Sequence, residues 1–166
     1  GHKKIGFVGT RLMTPSIDDR FFGYLKALME RGIKYRADWI IDDRDNIYGK
    51  MNYDRQFILP KEVPTAFFCN CDKAASLIIR KLEEAGYSVP GDVSVVGFDN
   101  FEYDQEADIG ITTYEINIGE MAKRAVHIML HKMQNALYSA GVFSIQGKII
   151  ERESVKKIGK SVPYAK

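Results

Sequence analysis

The chain lacks any run of 18 or more apolar residues, so no helix in it is long and apolar enough to cross a bilayer. Cysteine is nearly absent: Cys69 and Cys71 are the only two. They sit at alternate positions of one short segment, where they are poorly placed to bridge each other, and no further cysteines exist to complete a zinc site. They read as reduced, metal-free thiols, which fits a cytoplasmic protein. A charge excess of either sign is missing too: Lys plus Arg is 24 and Asp plus Glu 22, so 24 − 22 gives +2, too little to mark a nucleic-acid surface. The basic surplus gathers in Lys156, Lys157, Lys160 and Lys166, so 156–166 reads as a solvated, frayed tail. Gly6-x-x-Gly9 has no third glycine, and there is no Gly-Lys-Ser/Thr phosphate loop, which removes the standard nucleotide-cofactor signatures. No serine stands in a nucleophile elbow, and three histidines give little general-base chemistry to work with. His127 and His131 lie four apart on a face shared with Glu120, Lys123, Arg124 and Gln134, which reads as solvated surface rather than a metal pair. The expectation is a protein with no enzymatic turnover, no cofactor, no metal and no membrane partner.

What is present is a globular balance, with 45% apolar and 28% charged residues over 166 positions, enough for one domain with a real core. Ile5-Gly6-Phe7-Val8-Gly9 is a short apolar run ending in glycine, a buried strand. Phe21, Phe22, Leu25, Leu28 and Met29 then recur at helical spacing between Pro15 and Gly32, with Ser16 or Asp18 as candidate cap. Residues 37–41 read as a second strand, and 42–46 as a polar loop with too many charges to bury. A weaker helix candidate covers 48–59, ended by Pro60. A third strand covers 65–69, and the clearest helix runs over 72–85 behind Asp72 as cap. A fourth strand spans 93–98, an extended piece 110–114, a long helix 117–133 and a late strand 147–150. Strand and helix alternate, and the strands are almost continuously apolar. That predicts an α/β fold, a doubly wound, mostly parallel sheet with helices on both faces.

In such sheets ligands gather beyond the carboxyl ends of the strands, so the residues just after each strand are the ones to question. Arg20, placed in the first turn of the first helix, gains nothing from the helix dipole there. Either it donates its fork to a ligand or it pairs on the surface with Asp18 or Asp19. Asp99, directly after its strand, suits adjacent ligand hydroxyls, or else caps the backbone of the following loop. Asp72 is a third candidate, with helix capping as its alternative.

Three stretches resemble the lactose/galactose repressor (LacI/GalR) family of bacterial transcription regulators, whose sensor domain is similar to a periplasmic sugar-binding protein. One is the opening run to Gly9 followed by Arg20-Phe21-Phe22-Gly23-Tyr24; the second is Val63-Pro64-Thr65-Ala66-Phe67-Phe68-Cys69-Asn70-Cys71-Asp72. The most specific is Val89-Pro90-Gly91-Asp92-Val93-Ser94-Val95-Val96-Gly97-Phe98-Asp99-Asn100. Ile111-Thr112-Thr113-Tyr114 and Glu151-Arg152-Glu153-Ser154 match late landmarks. The resemblance implies that Arg20 and Asp99 hold the effector, that Thr14 and Ser16 help choose it, and that an aromatic wall falls near Ile47 or Tyr48. Asn70, Cys71 and Asp72 would complete the site, and Cys71 departs from the asparagine usual in sugar-binding members.

The resemblance implies an effector-sensing function with a small-molecule effector, a sugar or related metabolite, as partner. Residues 1–155 would be the C-terminal part of the effector-binding domain, of which 115–135 packs on an N-terminal lobe. That lobe and the helix-turn-helix that reads operator DNA would precede Gly1, where the start reads as a truncation or a tag scar. Self-association is expected through helix 74–84 and the segment after Asp99. The alternative is a solute-binding receptor module with no link to DNA control.

Overall fold

The computed structural model describes residues 1–45, 47–51, 53–101 and 108–159. Six strands form one sheet: β1 (Ile5–Val8), β2 (Ile40–Ile41), β3 (Ala66–Cys69), β4 (Ser94–Asp99), β5 (Thr112–Glu115) and β6 (Lys148–Ile150). Their order is β2-β1-β3-β4-β5-β6. All pairs are parallel except β5–β6, where Tyr114 faces Ile149 in an antiparallel edge. Four helices accompany them: α1 (Pro15–Glu30), α2 (Tyr53–Gln56), α3 (Asp72–Glu84) and α4 (Ile118–Gln134). The chain leaves β1 toward β2 on one side and returns to β3 on the other. The carboxyl ends of β1 and β3 therefore flank a topological switch point, the natural crevice of such a sheet.

Each face of the sheet has its own core. On one, Phe21, Tyr24 and Leu28 of α1 pack on Phe7, with the Phe7 and Phe21 rings edge to face at 5.2 Å. On the other, Ala74, Ala75, Ile78, Ile79 and Leu82 of α3 lie against Val8, Phe67, Cys69 and Val95, all fully or almost fully buried. The broad apolar surface of α3 is thus consumed inside its own chain, and its exposed positions are Lys73, Arg80, Glu83 and Glu84. Gly97 lets the start of α3 approach β4, since a Cβ there would stand 2.0 Å from Asp72 Oδ1. Of the late landmarks, Ser154 is fully buried. It closes the sheet by donating to the Val95 carbonyl and accepting from Thr112 N–H.

Several local expectations need correction. Ala37–Trp39 is a single 3-10 turn, leaving only Ile40–Ile41 as strand. Trp39 is held there by donating Nε1–H to the Glu62 carbonyl, with Arg36 stacked on its ring and paired to Asp38 and Glu62. The 48–59 helix shrinks to the one turn of α2. Ahead of it, Asp45 accepts hydrogen bonds from the N–H groups of Ile47, Tyr48 and Lys50, and Gly49 takes φ +65°. α1 is capped by Thr14 rather than Ser16 or Asp18, and Arg20 falls in its second turn, not its first. Asp72 is the first residue inside α3, with Cys71 at the cap.

Asp43, assigned to a loop too charged to bury, is fully buried. It accepts from Thr10 N–H at 2.8 Å and from Arg44, whose Nη2 lies 2.9 Å away. Burial pushes its carboxyl up, but the bonds from Arg44 and Thr10 outweigh that and hold it below the ordinary carboxylate value. Residues 102–107 and 160–166 lie outside the described residues, so most of the dimer segment after Asp99, beyond Phe101, and most of the basic tail do too.

Candidate functional site

A cavity of about 650 Å³ opens where the carboxyl ends of β1 to β4 meet the first turns of α1 and α3. That volume suits a ligand of disaccharide or nucleotide size. Thr14, Ser16, Arg20, Asn70, Cys71 and Asp99 line it, six of the eight residues singled out above. The loop after β1 supplies Thr14 and the first turn of α1 supplies Ser16, their hydroxyls 3.1 Å apart; the Thr14 hydroxyl also accepts from Ile17 N–H. Both are tied into the helix cap, so their orientation is set before any ligand arrives.

Arg20 and Asp99 are brought together. Arg20 donates Nη2–H to Asp99 Oδ1 at 3.1 Å and Nη1–H to the Asn70 carbonyl at 2.8 Å. Its guanidinium lies 4.0 Å above the Phe98 ring, which fixes the plane of the fork. Arg20 thus does not pair with Asp18 or Asp19; Asp18 instead accepts from Leu12 N–H. Both side chains remain 20% exposed, so a ligand hydroxyl can reach them.

Asp99 closes β4 with φ +102°, and Asn100 follows with φ +51°. Two consecutive non-glycine residues in that region are costly and persist only where the surroundings impose them. Here Asn100 is held by donating to Glu115 and accepting from Arg152, at 2.8 and 2.7 Å. The bend turns Asp99 toward Arg20 instead of along the sheet. Burial raises the Asp99 carboxyl above its ordinary value, opposed by Arg20 and reinforced by the negative charge of Asp72.

Asn70 is almost fully buried, yet its Oδ1 has no hydrogen-bond partner among the described residues. Cys71 is buried beside it, and burial pushes its thiol up, which leaves a neutral, weakly polar wall.

Two expected positions fall elsewhere: Asp72, and the aromatic wall at Ile47 or Tyr48. Asp72 uses Oδ2 to accept from Phe101 N–H at 3.1 Å, bracing the loop after β4, and does not line the cavity. Tyr48 and Ile47 are exposed on the Asp45 turn, outside the lining, and no aromatic ring forms a stacking wall among the described residues. Five lining residues are not among the named candidates: Ile17, Arg44, Lys50, Met51 and Lys73, of which Ile17 and Arg44 lie in the stretches just after β1 and β2. Lys73 was within reach of the strand-end reasoning, being only four residues past β3. Lys50 and Met51 had no such signal, because the Asp45 turn that presents them has no hydrophobic period.

Comparisons with known proteins show what the whole chain is similar to. The family model described as periplasmic binding protein-like domain matches residues 1–155. The HTH-type transcriptional repressor PurR of Photobacterium profundum is 31% identical over 158 residues, 95% of this chain and 47% of that protein. The NTD biosynthesis operon regulator NtdR of Bacillus subtilis is 33% identical over 155 residues, 93% of this chain and 47% of its own. The chain thus spans about half the length of these curated relatives. A LacI-type transcription regulator from Bifidobacterium animalis subsp. lactis superposes with a TM-score of 0.76 at 25% identity, over 94% of this chain and 60% of that one.

Proposed function

Because the chain belongs to the LacI/GalR family of transcriptional regulators and matches its effector-binding lobe, we propose that it senses a small metabolite on behalf of operator-DNA control. The observation that carries this reading is the Arg20–Asp99 pair, fixed at the mouth of a ligand-sized cavity. A guanidinium and a carboxylate in contact offer donors and acceptors to neighbouring hydroxyls, which suits a polyhydroxylated effector. The relatives named above are regulators rather than enzymes.

The rest of the mechanism follows from the unpartnered surface. α4 has no buried residue, and Ile118, Met121, Val126, Met129 and Met133 stand exposed along one side of it. That stripe supports a second lobe docked on 115–135, with the effector clamped between the two. Closure would shift the population toward one spacing of paired DNA-binding heads that precede this segment, in the cytoplasm.

Calorimetry of the whole regulator with hexoses, disaccharides and nucleobases tests the reading. Arg20→Ala and Asp99→Ala should each weaken the effector by roughly 10- to 100-fold, the loss of one charge-assisted hydrogen bond of about 1.5–3 kcal/mol. Unchanged affinity in both variants would remove this site from the mechanism.

A further inference from the structure

The chain leaves the sheet at Glu115, the last residue of β5, and re-enters it at Lys148, the first of β6, with α4 on the excursion between them. Glu115 and Lys148 are register partners across the β5–β6 edge, and their side chains pair at 3.0 Å. On its other side Glu115 is the register partner of Asp99. Residues 116–147 therefore hang from two clasped strand ends, one of them directly beside the carboxylate that meets Arg20.

Asn100 bridges these parts, although it does not line the cavity. Its Nδ2 donates to Glu115 Oε1 at 2.8 Å, and its Oδ1 accepts from Arg152 Nη2 at 2.7 Å. Its backbone N–H donates to Thr113 Oγ1 of β5 at 3.3 Å. Arg152 follows β6 and is itself fixed, donating Nη1–H to the Ile111 carbonyl at 2.7 Å. Position 100 thus faces a carboxylate on one flank and a guanidinium on the other, which calls for a donor and an acceptor together. An amide supplies both. Aspartate there would meet Glu115 with like charge, and leucine would leave both neighbours without their bond. The bridge also restrains the left-handed backbone of Asp99 and Asn100, which would otherwise relax.

We infer that Asn100 is a positioning residue for the effector site, acting through Asp99, and that its amide couples effector occupancy to the two strand ends carrying residues 116–147. The inference rests on the effector-sensing reading above. A ligand held by Asp99 favours the bent backbone, the bend needs the amide in its bridge, and the bridge fixes the exit at Glu115 and the stretch after β6. By linkage the coupling runs both ways: displacing those ends weakens the effector, and binding the effector stiffens them.

The test is calorimetry of the whole regulator, with the tightest-binding hexose, disaccharide or nucleobase of the panel above as probe. Asn100→Leu should weaken the probe by about tenfold, without exceeding the loss from Asp99→Ala. In an Asp99→Ala background the same substitution should change affinity by less than about twofold, because the residue it acts through is gone. Asn100→Asp should be equally damaging. Adding Glu115→Gln to it reverses the polarity of the bridge, the new amide donating to the new carboxylate, and should bring affinity back to within about threefold of wild type. Hydrogen exchange should show residues 115–118 and 148–152 slowed by the probe in wild type and not in Asn100→Leu. Circular dichroism establishes that each variant folds. Additive losses in the Asp99→Ala background, no recovery on reversing the polarity, or unchanged affinity in Asn100→Leu each overturn the inference, while a damaging Asp99→Ala leaves the sensing function standing. No binding by any member of the panel overturns both.

Discussion

Replacing Asp43 measures how much a single buried carboxylate holds the switch point together. Its Oδ1 accepts from Thr10 N–H at 2.8 Å, and Arg44 reaches its two oxygens at 2.9–3.2 Å. Asp43→Ala leaves the buried Thr10 N–H without that acceptor, a cost of about 2 kcal/mol. It also strands Arg44, but that side chain is 21% exposed and regains some water, so the ion-pair loss is about 1–2 kcal/mol rather than the full value for an enclosed pair. The sum, about 3–4 kcal/mol, corresponds to roughly 10 °C in Tm for a domain of this size. Asp43→Asn keeps an acceptor for Thr10 and loses only the charge, so it should cost about half as much. The pH dependence has a definite sign. The folded carboxyl sits below its unfolded value, so the stabilisation is present above the unfolded pKa and fades as pH falls through the folded one. Urea denaturation of the three proteins at neutral pH, repeated toward pH 3, reads all of this. If alanine costs no more than asparagine, or if both cost under about 0.5 kcal/mol, the linkage from Thr10 to Asp43 to Arg44 carries no weight and the reasoning fails.

Cys69 and Cys71 are both buried, and burial raises both thiols, so neither should react quickly with a thiol reagent in native protein at pH 7.5. Two free thiols should appear on unfolding; recovery of a disulfide, or of zinc in stoichiometric amount, would contradict this. The chain as it stands should self-associate through the exposed stripe of α4, since α3 has already spent its apolar residues internally. Sedimentation velocity across a concentration series should show association that Met129→Lys abolishes, and a strictly monomeric wild type at high concentration would reject it.

The sequence made some of this legible because certain segments repeat a pattern. The helical spacing of Leu77, Ile78, Ile79 and Leu82 located α3, and the apolar run through Val95 and Val96 located β4. Placing Arg20 and Asp99 near one crevice took the rule that ligands gather at strand carboxyl ends together with the family resemblance, since the residues alone left surface pairing and loop capping open. What escaped depended on partners far away in the chain. Asp43 is buried because Thr10, 33 residues earlier, donates to it. Trp39 bends the chain into a 3-10 turn because Glu62 offers its carbonyl. Lys50 and Met51 reach the cavity through a turn nucleated by one aspartate, which no periodicity announces. Asp72 read as a helix cap, whereas its carboxylate braces the loop after β4 instead.

The left-handed backbone at Asp99 and Asn100 has an implication for how this sequence can change. Glycine at either position would relieve conformational strain on the order of 1–3 kcal/mol. At 99 the same change deletes the carboxylate that meets Arg20. A screen that rewards thermal tolerance alone would therefore be drawn toward glycine at 99 and away from a responsive receptor. Heat-selected libraries should accumulate sturdy, deaf proteins, while libraries screened for signalling should keep aspartate and tolerate the lower melting temperature.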